Sequence, residues 1–167
     1  MKNFIYYLCL LFIISCKNNY EEEFISRYSN YDFSNYQGKE IYVRGFSSRN
    51  FPIIFLENVQ NNNFIRLTIN YNKQSKSIID VEESYPKDSL KKNSKVNVNN
   101  QLKKLTTDFI DMNIYYLKVD SLGNIYVKPS AEEYSPVIGK FISEEYRKKI
   151  FVKSISLENG WYKEIND

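Results

Sequence analysis

The chain has 167 residues, the size of one domain, with 23 Lys+Arg against 20 Asp+Glu and a net charge of +3. So near a balance lacks the basic excess expected of a general nucleic-acid binder. There is no histidine, which removes the imidazole base, the Ser-His and Cys-His nucleophile pairs and the commonest zinc ligand. Tyr occurs 15 times and Phe 11 times, whereas Gly occurs five times and Ala once, at Ala131. The abundant types have codons rich in A and T, so an AT-rich genome accounts for much of the aromatic content. The number of tyrosines alone is therefore no argument for a binding surface.

Met1-Lys2-Asn3 is a short cationic start, and Phe4 to Ile14 is an almost unbroken apolar run ending in Ile13-Ile14-Ser15-Cys16. Eleven residues suit the apolar region of a signal peptide and fall short of a hydrocarbon core of ~30 Å. The four terminal residues resemble the lipobox of bacterial lipoproteins: an aliphatic, a small or β-branched residue, a small residue, then cysteine. That resemblance covers only the N-terminus. It implies removal of residues 1–15, diacylglycerol on Cys16, and a lipidated tether over 16–19. Tyr6, Tyr7 and Cys9 make the apolar run more polar than is usual in the family. An ordinary secretory signal prefers a small residue where Ile13 stands. With Cys9 lost and Cys16 lipidated, the mature chain has no thiol left for a disulfide.

By the same resemblance, an Asp after the lipidated Cys retains many lipoproteins at the inner membrane. Lys17 stands there instead, which favours the outer membrane. Glu21-Glu22-Glu23 reads in two ways: as part of a surface-export signal of the Lys-then-acidic kind, or as the acidic first turn of a helix.

Residues 20–167 read as a single α+β domain, an antiparallel sheet of hairpins with amphipathic helices, about 20–31 and 101–112, packed on one face. Tyr20, Phe24, Tyr28 and Tyr31 recur at helical spacing. From Glu40 the period changes to two, with Ile41 and Val43 alternating with Tyr42 and Arg44. Residues 53–59 and 65–71 form a hairpin about Asn61-Asn62-Asn63. Ser77 to Glu82 is the next strand, and residues 84–101 begin with a loop. Lys87, Lys91, Lys92, Lys95, Lys103 and Lys104 gather there, read as a solvated face because no aromatic series is interleaved.

Leu102, Leu105, Phe109 and Ile110 form a helical stripe capped by Asn99 or Asn100. Tyr115, Leu117 and Val119, then Ile125 and Val127, make a hairpin about Asp120-Ser121-Leu122-Gly123-Asn124. Pro129 to Pro136 is a loop, and Ser143-Glu144-Glu145 opens one short helical turn. Phe151 to Leu157 and Trp161 to Ile165 form the last hairpin, about Asn159-Gly160.

Tyr42, Phe64, Tyr116 and Tyr126 fall on the opposite parity to the core residues of their strands. They are the candidate binding surface, an aromatic patch on the sheet face away from the helices. Asp80 with Glu82 and Glu83, and Asp108 with Asp111, are the carboxylates close enough in sequence to share a face. They read as surface acids, with no calcium-loop spacing. No catalytic residue, metal site or cofactor follows from any motif. The expected function is binding, to an envelope protein or an incoming toxin, by a lipid-anchored accessory or immunity protein. A carboxylate-only enzyme such as a glycan hydrolase, and a structural spacer, are the competing classes.

Overall fold

The computed structural model describes residues 20–58, 66–84, 94–131 and 135–165. Their order is α1 (Tyr20–Tyr28), a 3-10 turn (Ser34–Tyr36), β1 (Lys39–Phe46), β2 (Pro52–Asn58), β3 (Arg66–Asn72), β4 (Ser77–Ser84) and β5 (Ser94–Lys95). Then come α2 (Asn100–Asp111), β6 (Tyr116–Val119), β7 (Ile125–Lys128), β8 (Ile138–Lys140), α3 (Glu144–Ile150), β9 (Ser154–Ser156) and β10 (Trp161–Glu164). The strands make one open ten-stranded sheet in the order β5-β4-β3-β2-β1-β6-β7-β8-β10-β9. Every pairing between them is antiparallel. The fold is therefore α+β, an antiparallel sheet of hairpins with helices on it.

Two departures from simple hairpin succession shape the molecule. After β5, at one edge, α2 carries the chain back to the middle, where β6 pairs with β1. After β8, α3 carries it past one position to the far edge strand β9, and β10 returns between them.

Register fixes the faces, because neighbouring strands align their pleats. Ile41 sits opposite Leu56 on one side and Leu117 on the other, Ile54 opposite Ile69, and Leu117 opposite Val127. All are buried, and they form one core with Phe24 and Ile25 of α1 and Leu102, Leu105 and Phe109 of α2. Both helices thus cover this face. Asn99 starts α2 by accepting from the Leu102 N–H at 2.8 Å. Buried phenols tie the layers together: Tyr36 donates to the Leu105 carbonyl at 2.8 Å, and Tyr71 to Thr107 Oγ1 at 3.2 Å. Trp161 is fully buried at the β10 end, edge-on to Phe24 with ring centroids 5.6 Å apart.

Some boundaries differ from the pattern reading. Helix α1 stops at Tyr28, where Asn30 and Asp32 bring turn chemistry; the Ser34 N–H bonds to Asp32 Oδ1 at 2.9 Å. Tyr31 still packs on the core side, against Phe33, with ring centroids 4.9 Å apart. Residues 61–63 of the expected Asn-rich turn lie outside the described residues, but β2 and β3 pair as a hairpin requires. Phe151 closes α3 instead of opening β9, and α3 has seven residues where one turn was expected. Strand β8 went unseen because its three residues include Gly139 and show no alternation. Asn159 and Gly160 adopt positive φ of 55° and 75°, as their turn demands.

Candidate functional site

The second sheet face is polar and aromatic. Register places one row of side chains across it: Arg66 of β3, Glu57 of β2, Glu40 of β1, Lys118 of β6, Tyr126 of β7, Gly139 of β8 and Tyr162 of β10. The next row holds Phe55, Tyr42, Tyr116 and Lys128. The sequence-derived candidates Tyr42, Tyr116 and Tyr126 therefore do share this face. Phe64 and Cys16 lie outside the described residues.

Two carboxylates stand side by side in the first row. Glu57 is buried and accepts from Arg66 Nε at 2.7 Å and from the Tyr42 hydroxyl at 2.8 Å. The Arg66 guanidinium also lies over Phe55, 4.8 Å from the ring centroid. Glu40 is hydrogen-bonded by the Tyr116 hydroxyl and is 3.8 Å from Lys118 Nζ. Its carboxyl is held above the usual carboxylate range. Burial is the chief cause; Lys118 opposes it, Glu57 adds to it, and the Tyr116 bond lowers it again. Burial together with the Glu57 hydrogen bond pushes the Tyr42 phenol up to about 12. Tyr116 and Tyr126 are pushed up further, again chiefly by burial, so these hydroxyls are neutral donors at physiological pH.

Helix α3 roofs the other half of the row. Gly139 makes room for the rings that flank it: a Cβ there would stand 2.7 Å from Cε2 of Phe141 and 3.1 Å from Cζ of Phe151. The Phe141 ring packs edge-on against Tyr126 and Phe151, with centroids 5.6 and 5.0 Å away. Ser143 caps α3 through the Tyr146 N–H at 3.3 Å, and Arg147 lies over Tyr162 while clasping Glu144 at 2.6 and 2.9 Å. The entrance to α3 is stapled to the β6–β7 turn. Buried Asn124 accepts from the Ile142 N–H at 3.1 Å and donates to Asp120 Oδ2 at 2.8 Å.

Between α3 and the sheet lies a cleft of about 560 Å³. Its floor is Tyr116, Lys118, Tyr126 and Lys128; its wall is Tyr146, Ile150 and Phe151; Asp120 and Glu164 are also at its margin. Volume and lining are those of a ligand or side-chain pocket. A smaller hollow of about 250 Å³ adjoins it, sharing Tyr116 and Lys128 and reaching Tyr42. The open aromatic patch expected from the sequence is thus a cleft, with its tyrosines half-buried.

The other candidates lie elsewhere. Asp108 accepts from the Tyr31 hydroxyl and from Lys104, both at 2.7 Å, and Asp111 pairs with Lys76 at 3.0 Å. Asp80 and Glu82 are on β4, where Glu82 faces Lys95 and Glu83 faces Ser94. None of these five acids lines the cleft. Of the basic cluster, Lys95, Lys103 and Lys104 are exposed on β5 and α2, and Lys87, Lys91 and Lys92 lie outside the described residues. Among the described residues, no three acid or thiol side chains come close enough together to hold a metal ion.

The sequence reading passed over Glu40, Glu57, Lys118 and Lys128. Their signal was parity: Glu40 shares a strand face with Tyr42, and Lys118 and Lys128 share faces with Tyr116 and Tyr126. In class, the molecule is an open antiparallel α+β sheet with a cleft on the face away from its two larger helices. Comparison with protein-family models, curated proteins and solved structures found no match to this chain.

Proposed function

We propose that this is a lipid-anchored protein of the bacterial envelope, on the outer membrane, that acts by binding another protein through the cleft under α3. The partner is of the accessory-complex or toxin type. The anchor rests on Ile13-Ile14-Ser15-Cys16 and the apolar run before it, and the outer membrane on Lys17. Among the described residues no helix is long and apolar enough to cross a membrane. No cofactor and no nucleic acid enter this reading.

The cleft is the observation that supports binding. It offers an apolar wall and neutral phenols to a side chain projecting from a partner, with Lys118 and Lys128 on its floor. Of the two acids at its margin, Asp120 is already engaged by the N–H groups of Leu122 and Asn124, each at 2.9 Å, and by Asn124 Nδ2. A carboxylate so occupied is a turn-former before it is a proton donor.

One observation favours the enzyme reading, namely Glu40 with its raised pKa beside Glu57. Both carboxylates are held by neighbours on the sheet, and neither lines the cleft.

Two substitutions test binding without removing the buried rings: Ile150→Asp, on an exposed wall position, and Lys128→Glu on the floor. Each should leave the circular-dichroism spectrum unchanged and abolish recovery of a defined envelope or toxin partner by affinity capture. Turnover of a glycan by the purified protein, stopped by Glu164→Gln or Glu40→Gln, would put the enzyme in its place.

A further inference from the structure

The sheet is open, and its two edge strands are built differently. β5 is Ser94 and Lys95, both exposed, and a lysine on an edge is a common guard against pairing with another chain. β9 has neither charge nor proline, and its central residue, Ile155, is 53% exposed.

The ladder shows which backbone groups of β9 point outwards. In an antiparallel pair, residues alternate between exchanging both hydrogen bonds with the neighbour and turning their groups away from it. The Leu157 N–H bonds to the Trp161 carbonyl at 2.8 Å, and the Ile165 N–H to the Lys153 carbonyl at 3.0 Å. Ile155 faces Lys163 in the same register. Lys153, Ile155 and Leu157 therefore direct their groups at β10. Those of Ser154 and Ser156 point outwards, where no strand among the described residues meets them. The edge is held in place by Arg147, whose Nη1 donates to Ser154 Oγ. On the side of α1, to which Lys163 is tied through Glu21 at 2.9 Å, a groove of about 520 Å³ runs beside β9. Ile25, Ser26, Ser156 and Leu157 line it with Glu22 and Glu158, and neither of these carboxylates has a partner among the described residues.

We infer that β9 pairs antiparallel with β9 of a second copy of this chain, about a twofold axis at Ile155. The strand is its own complement. Turned about Ile155, Ser154 of each copy meets Ser156 of the other, and every outward N–H and carbonyl of the two residues is taken up. Ile155 then faces its own mate, so that two exposed aliphatic side chains cover each other. Lys153 of each copy falls opposite Leu157 of the other, at the groove that holds Glu22 and Glu158. Lys153 also has a contact within its own chain, so the ladder and Ile155 carry the pairing and the two acids add to it. The sheets of the two copies become one, and the cleft under α3 is presented twice on the same face.

The test uses the full chain with single cysteine substitutions, oxidised with copper phenanthroline both in the producing cell and after purification in detergent. Facing residues of this kind in an antiparallel pair have Cα atoms about 4.5 Å apart, a distance that a disulfide spans. Ile155→Cys should give a dimer of twice the mass, several-fold more than Lys153→Cys, whose mate is displaced along the strand. Lys73→Cys, in the turn between β3 and β4, and the wild type set the background. Ile155→Glu puts like charges on the axis and should turn a sedimenting dimer into monomer with the circular-dichroism spectrum unchanged. A yield at 155 no higher than at 153 or 73, or a wild type that sediments as monomer, would overturn the pairing. An adduct of Ile155→Cys with a different protein in place of the dimer would overturn it too, and give the edge to another partner.

Discussion

Glu40 is a half-buried carboxylate whose titration is coupled to folding. Its carboxyl is held above the ordinary range, so the folded state binds this proton more tightly than the unfolded chain does. Its contribution is complete below the unfolded pKa and is lost as pH rises through the folded one. Asp32 and Glu144 have the opposite sign, held low by the Ser34 amide and by Arg147, and contribute above the ordinary range; both are at the surface. Glu40→Gln should therefore remove the loss of stability that ionising Glu40 causes as pH rises, so that the acid-side rise due to groups such as Asp32 and Glu144 is steeper, and cost little at pH 7. Urea unfolding at pH 5 and pH 7 reads this. A loss beyond about 1 kcal/mol at pH 7 would mean that the bonds to Tyr116 and Lys118 outweigh the burial cost. Gly139 gives a second test at this scale. Gly139→Ala puts a methyl 2.7 Å from the Phe141 ring and should destabilise by about 1–3 kcal/mol. Adding Phe141→Leu should recover part of that loss.

The elements differ in how far the sequence betrays them. Leu102, Leu105 and Phe109 mark α2 because their spacing matches one helical face, and Asn99 marks its start. Asn99→Ala should cost about 1 kcal/mol, and Phe109→Ala, at a fully buried position on the sheet, about 3–5 kcal/mol, both by chemical denaturation. Helix α3 is harder to read. Seven residues are too few to hold a helix alone, and it has no buried residue of its own. What holds it is distant: Asn124 at its entrance, and Tyr162 with Ser154 against Arg147. Strand β8 is hidden for a similar reason, since Gly139 serves rings that come from beyond the strand. Glu40 meets Glu57 across the β1–β2 hairpin and Lys118 on β6, far along the chain; both pairings depend on strand register, which no local pattern displays. The tyrosines were legible because parity is local; the cleft they line was not, because its roof is α3.

At the scale of the whole molecule, the two faces of one sheet have different tasks. The face under α1 and α2 holds the core, and the other face pairs charges and opens the cleft. If residues 1–15 are cut away and Cys16 carries lipid, labelled fatty acid enters the wild type and not Cys16→Ser, and an intact Met1 on protein from a native-like host contradicts it. The central claim, binding at the cleft, is tested most directly by site-specific photo-crosslinking in the producing cell. A benzoyl-phenylalanine at Ile150, on the cleft wall, should give one discrete adduct with an envelope or toxin protein, lost on Lys128→Glu. The same probe at Lys73 should give none. No adduct from position 150, or the same adduct from both positions, would contradict the account.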